Sequence, residues 1–223
     1  MVKKTKTPTT ASHSPKALLS PSLRDLLARR QCVAYVGAGF SMACGMPDWK
    51  GLLSRLQEKA WATVDGGVGN EERRKQIESS ARAINAAEYE RAAHLVTRGV
   101  LSDADINKTV QELFDNDVLQ KATARQQERM KARMTRLAQG PWAGIVTTNY
   151  DRLIELALDS VGHKFERCEA NLNRLGTILA QPPDGSFFVK LHGSISGERP
   201  VLTTADYDRR YLKTPNLMAF LTA

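Results

Sequence analysis

Three short polar segments, each at the end of an apolar run, carry the residue types that chemistry needs. The first is Gly37-Ala38-Gly39-Phe40-Ser41, behind Val33-Ala34-Tyr35-Val36. Glycines let a backbone approach a ligand closely, and amides at a helix start favour anions, so a diphosphate fits such a turn. The spacing is not the G-x-G-x-x-G dinucleotide pattern, because the next glycine after Gly39 is Gly45; a plain strand-to-helix turn explains these residues as well. The second segment is Thr147-Thr148-Asn149-Tyr150-Asp151. Asn and Asp behind a strand commonly cap the following helix, but one cap needs one residue. If Asp151 caps, Asn149 is left to face a ligand. The third is Lys190-Leu191-His192-Gly193-Ser194. A histidine at a strand exit is either structural or the base most easily used near neutral pH.

The elements that must position these segments alternate in type. PSLRDLLARR reads as a helix leading into the strand CVAYV, and PDWKGLLSRLQEKA as the helix after the glycine turn, with Pro47 in its first turn and Leu52, Leu53, Leu56 and Ala60 on one face. VDGGVGN is a loop; residues 71–98 and 102–115 then read as helices, the second opened by Ser102 and Asp103. The block 71–139 shows no strand pattern and is expected to be a helical insert. Ile145-Val146-Thr147 is a short strand, followed by a helix with Leu153, Ile154, Ala157 and Leu158 inward and Gly162 at its end. HKFERC, SFFVK and PVLTT read as further strands, and ADYDRRYLK as a helix. The fold class is α/β: a Rossmann-like, mostly parallel sheet with helices on both faces and the insert at about 71–139. In such a sheet the strands' C-terminal ends converge on one crevice, so all three polar turns can face one ligand.

Composition narrows the classes. The chain has 223 residues, 42% of them hydrophobic, enough for one domain with a core. No apolar run approaches the roughly 20 residues of a membrane span, and the N-terminus lacks the apolar core of a secretory signal. Residues 1–20 read as a disordered basic tail, leaving 21–223 as the folded domain. Cys32, Cys44 and Cys168 form no CxxC pair and no even framework. They imply free thiols, a reducing, cytoplasmic setting, and no four-cysteine zinc site. The net charge of +8 is concentrated: residues 1–30 hold seven Lys and Arg against one Asp, and residues 121–136 hold six against one Glu. Such patches meet nucleic acid or another polyanion, or are simply solvated.

Taken in order, GAGFSMACGMPDW, TTNYD and KLHG resemble the sirtuin-like NAD+-consuming fold. VTTNYDRLIELAL, VKLHGSI and VLTTADYDRRY are closer to its bacterial silent-information-regulator-like branch of NAD+ hydrolases, many of them anti-phage effectors. The likeness covers about 30–222. It departs from the deacylases of the family in lacking the zinc-ribbon cysteines and in the 41-residue step from Asp151 to His192. The family continues into a strand and Gly-Ser turn at the adenosine side, so the domain is expected to be truncated after the apolar NLMAFLTA. The resemblance implies that Gly37, Ala38, Gly39 and Ser41 hold the NAD diphosphate, with Pro47, Asp48 and Trp49 in a mobile loop over the nicotinamide end. Thr148 stands where the family has Gln, and also belongs to the NAD-binding set. Asn149 and Asp151 would sit against the nicotinamide ribose and carboxamide, and His192 against the ribose hydroxyls; Asn149 and His192 form the catalytic pair. The implied activity is NAD+ glycohydrolysis to nicotinamide and ADP-ribose, or a cyclised product, with NAD+ as substrate, no zinc and no metal site. It would deplete NAD+ in anti-phage defence, under control by homo-oligomer assembly or a regulatory partner, with nucleic acid as an indirect possibility and no membrane. The rival reading is a non-catalytic NAD or ADP-ribose sensing module docking a nucleic-acid-associated partner.

Overall fold

A computed structural model describes residues 19–64, 70–115, 117–162, 165–168, 174–175, 178, 186–195 and 199–212. Helix α1 (Pro21–Ala28) starts behind Ser20, whose hydroxyl accepts from the Leu23 amide. Strand β1 (Val33–Val36) runs into a 3₁₀ helix (Ala38–Cys44) and then α2 (Trp49–Val64). Helices α3 (Glu71–Asn85), α4 (Tyr89–Thr97), α5 (Asp103–Phe114), α6 (Asp117–Lys121) and α7 (Ala124–Ala138) follow. The chain returns as β2 (Gly144–Thr147), α8 (Leu153–Ser160), β3 (Phe165–Cys168) and β4 (Ser186–Lys190), and ends its described part with α9 (Thr204–Tyr207) and a π-helical turn (Asp208–Leu212).

The sheet is parallel throughout, in the order β1-β2-β4-β3. β2 is buried at every position, as expected of a central parallel strand covered on both faces. On one face Val36, Ile145 and Phe188 pack against Ala138 of α7 and Ile154, Ala157 and Leu158 of α8. On the other, Val146, Val189 and Cys168 meet Leu175 and Ile178. This is the Rossmann-like α/β layering that the alternating pattern predicts. Gly144 is required by close approach: a β-carbon there would lie 2.2 Å from the ring of Phe187, its neighbour in register on β4.

The helical block forms a second core. Leu52, Leu53 and Leu56 of α2 join Ile77, Ile84, Ala92, Val96, Ile106, Val110 and Met130, and the cluster takes in Tyr150 and Leu153 behind β2. The insert is thus joined to the sheet by shared apolar burial. The single helix expected over 71–98 is broken at Ala87, which has φ 59°. The amides of Ala87 and Glu88 close back onto Ile84 and Ala83 carbonyls there, ending α3 without a glycine or proline to announce it. No strand forms at PVLTT. Thr203 and Asp206 make a reciprocal capping box that opens α9, and this side-chain bonding replaces a ladder. Pro47 is not in the first turn of α2; Asp48 caps that helix by accepting from the Gly51 amide at 2.8 Å, so Pro47 precedes the cap. Residues 65–69, within the expected loop, and the ends at 1–18 and 213–223 lie outside the described residues, and with them most of the expected basic tail and the terminal apolar stretch. Among the described residues no helix is long and apolar enough to cross a membrane.

Candidate functional site

The parallel register places Val36, Thr147 and Lys190 side by side at the ends of β1, β2 and β4. Their exits therefore converge, as the crevice rule for open parallel sheets requires. Thr147 Oγ1 donates to Val36 O at 2.8 Å and accepts from the Asn149 amide at 3.1 Å, which stitches the first two exits together.

Beyond that stitch lies a buried chain of hydrogen bonds whose directions can be worked out. Asp151, one residue before the N-cap Arg152 of α8, accepts through one oxygen from the Leu153 amide at 3.0 Å and through the other from the Ser41 hydroxyl at 2.6 Å. A carboxylate only accepts, so the Ser41 proton is spent on Asp151. Ser41 Oγ must then accept from Asn149 Nδ2, at 3.0 Å; the same nitrogen also lies 3.2 Å from Gly37 O. This fixes the Asn149 amide: its NH₂ is held by the first turn, and Oδ1 is the opposite end. Asn149 is 6% exposed, and its buried Oδ1 has no hydrogen-bond partner among the described residues. A buried acceptor left unmade costs about 1–3 kcal/mol, so it stands out from its fully bonded neighbours.

Asn149 lines a cavity of about 260 Å³. Of the residues singled out from the sequence, Ala38, Ser41, Pro47, Asp48, Trp49, Thr148, Asn149, Asp151 and His192 all line it. Gly37 and Gly39 stand beside it in the glycine turn, where a β-carbon on either would meet nothing within 4 Å. The site also draws in Leu52, Phe114, Tyr150 and Tyr207, none of which the sequence pattern assigns to it. Tyr207 lay inside the ADYDRRY helix with no spacing to mark it. Phe114 arrives from the insert, edge-on to Tyr150 at 5.5 Å, and only the docking of α5 brings it there. The Tyr150 hydroxyl donates to Val201 O at 2.7 Å, and burial pushes its pKa well up.

His192 is followed by Gly193 at φ 88°, a left-handed turn that favours glycine. Burial, reinforced by the nearby Arg210 charge, lowers the His192 pKa to about 4. The imidazole is therefore neutral at neutral pH. Its Nε2 shares a 3.1 Å hydrogen bond with the Tyr207 hydroxyl, and the two rings meet edge to face at 5.3 Å. Tyr207 in turn stacks on Tyr211. A second hollow, of about 650 Å³, adjoins the first and shares Thr148, His192 and Tyr207 with it.

Cys44 and Cys168 are not reactive candidates. Cys44 donates to Ser41 O at 2.9 Å, burial raises the thiol pKa of both Cys44 and Cys168, and the three cysteines are free. Among the described residues no three His, Cys, Asp or Glu side chains gather as metal ligands.

Comparison with known proteins places the chain beside a family and a relative. Residues 143–223, which carry the second and third turns, match the SIR2-like domain family. Over 199 residues the chain is 26% identical to the NAD(+) hydrolase ThsA of Cytobacillus dafuensis, an alignment covering 89% of this chain and 34% of that protein. The chain thus spans about a third of the length of that relative.

Proposed function

We propose that this SIR2-like chain is an NAD+ glycohydrolase, which takes NAD+ and water to nicotinamide, ADP-ribose and a proton. The observation that carries the reading is the Asn149 amide: its NH₂ is locked by Ser41 and Gly37, while its buried Oδ1 has no partner among the described residues and lies beside a ring-sized cavity. The similarity to the NAD(+) hydrolase ThsA supports the same assignment.

The chemistry suits the residues. Cleavage of the N-glycosidic bond expels neutral nicotinamide and leaves an oxocarbenium-like ribose, so no strong acid is needed for departure. The chain has to position the ribose, support its charge and admit water. The nicotinamide ring and its ribose occupy the cavity among Trp49, Phe114 and Tyr150, and the diphosphate runs over the glycine turn. Oδ1 of Asn149 presents the negative end of a fixed dipole. It accepts from a ribose hydroxyl or from the attacking water, without a carboxylate's affinity for protons. Neutral His192 is the adjacent base for a hydroxyl proton. Ser41 and Asp151 hold Asn149 in place, and the backbone amides of the glycine turn take the diphosphate. The activity would empty the NAD+ pool of a phage-infected bacterium, and such an enzyme is held in check by assembly or a partner until triggered.

Incubating the protein with NAD+ and following nicotinamide release tests this. Nicotinamide release is expected, lowered about 10²–10³-fold by Asn149→Ala. Binding of NAD+ without release would turn the assignment to the sensing module, and absence of both would reject the site as an NAD+ site.

A further inference from the structure

We infer that Lys190 is a positioning residue for the Asn149 turn: its buried ammonium clamps two successive carbonyls of that turn and so aims Asn149 and Asp151. The inference rests on the hydrolase reading for its consequence in catalysis, though not for its geometry.

Lys190 is the last residue of β4 and its side chain is fully buried. An ammonium has three donors, and three acceptors surround this one: Tyr150 O at 3.1 Å, Asp151 O, and Glu155 Oε1 at 2.8 Å. Two of the three are consecutive backbone carbonyls directly after Asn149. Neither a strand nor a helix turns adjacent carbonyls to one point, so the cation sets the bend of the chain here. With Tyr150 O and Asp151 O drawn to Lys190, the Asp151 carboxylate is left facing Ser41 and the Leu153 amide. Glu155, in the first turn of α8, is the counter-charge, and its side chain is 2% exposed. The same lysine precedes Leu191 and His192, so one residue couples the turn of Asn149 to the turn of His192. Arg210 bonds to Leu191 O at 2.5 Å and fixes the far side of that link.

A buried ion pair is poor evidence for a stability role, since an apolar pair of similar volume commonly does as well or better. That separates the two explanations. If Lys190 only neutralises Glu155, removing both charges together is harmless. If it clamps the turn, removing both leaves the fold standing and the turn loose.

The test is the double variant Lys190→Met/Glu155→Leu, read in two ways. In the free protein, hydrogen exchange at the Asn149 and Leu153 amides, which bond to Thr147 Oγ1 and Asp151 Oδ1, is expected to quicken about tenfold or more while α8 beyond its first turn stays protected. In the assay, kcat for nicotinamide release is expected to fall on the order of 10²-fold, the scale of a small misplacement of reacting groups, with KM changed far less. Unchanged exchange at both amides overturns the inference, whatever the assay gives. Loosened amides with full turnover overturn the catalytic consequence. Should this variant not fold, Lys190→Gln/Glu155→Gln replaces it; failure of both to fold would assign the pair to global stability and overturn the inference. A wild-type chain that releases no nicotinamide removes the hydrolase reading alone, because the exchange arm needs no turnover.

Discussion

The turns that leave β1 and β2 stand side by side and are built in opposite ways. In the first, Ala38 and Gly39 are exposed and Gly37 and Gly39 face open space. Its carbonyls are held from outside, by Asn149 on Gly37 and by Arg133 on Gly39 and Phe40, so the side left to a ligand is backbone. In the second, Thr147, Asn149, Tyr150 and Asp151 are all buried and each side chain is bonded. A bare backbone turn suits an anion whose oxygens can settle on several amides. A stiff turn suits a single polar atom that must meet a developing charge without reorganising. The division of labour between the two can be broken one side at a time.

The largest effect is expected at the stiff turn. Asn149→Ala should lower nicotinamide release about 10²–10³-fold, the cost of losing one preorganised polar group. Two side-chain hydrogen bonds go with it, so stability should fall only about 1–3 kcal/mol. Steady-state kinetics beside denaturant unfolding reads both; a destabilised but fully active variant would make Asn149 a strut of the fold.

At the open turn the expected effect is on binding. Gly39→Val should leave the fold intact, because the added β-carbon meets nothing within 4 Å. NAD+ affinity should weaken about tenfold or more, some 1.4 kcal/mol. Calorimetry that finds wild-type affinity in a folded variant would move the diphosphate elsewhere.

Ser41 lies between the two turns, and its removal should cost less. Ser41→Ala leaves Asp151 bonded to the Leu153 amide but frees the Asn149 amide to flip. A roughly tenfold loss in kcat corresponds to about 1.4 kcal/mol at the barrier. If kcat is unchanged, Asn149 is oriented by Gly37 alone.

The smallest effect is one of pH. His192 titrates near 4 in the folded chain against an ordinary 6.5. Between those values the unfolded chain binds the extra proton, so this residue's contribution to stability is complete above 6.5 and is lost as pH falls toward 4. Turnover that depends on the neutral imidazole should hold level through pH 6.5 and decline only toward 4. Thermal melts of the wild type and His192→Gln across that range should converge in their pH slopes at the top and diverge below. An activity inflection at 6.5 would show that the imidazole is not desolvated.

Local chemistry made much of this molecule legible in advance. Apolar runs of four or five residues ending in Gly-Ala-Gly, Thr-Thr-Asn and Leu-His-Gly mark strands and their exits, because a strand's burial pattern and a turn's residue needs are satisfied by neighbours in sequence. The Ser102 cap and the helix end at Gly162 follow the same logic and occur as expected. The break at Ala87 and the absence of a strand at 201–203 escaped because each is set by short-range hydrogen bonds that stand in place of the regular ones, backbone to backbone at Ala87 and through side chains at Thr203 and Asp206.

The sequence by itself determined the α/β alternation and the residue types gathered at the strand exits. Only the tertiary structure decided what those residues do for one another. Ser41 and Asp151 are 110 positions apart and Lys190 is 39 from Asp151, so no local pattern can state that the serine's proton goes to one carboxylate, or that a lysine holds its carbonyl. Parallel register brings them within bonding distance, and burial then drives most donors and acceptors to find a partner. The partnerless Oδ1 of Asn149 becomes visible only once its neighbours' bonds have been assigned.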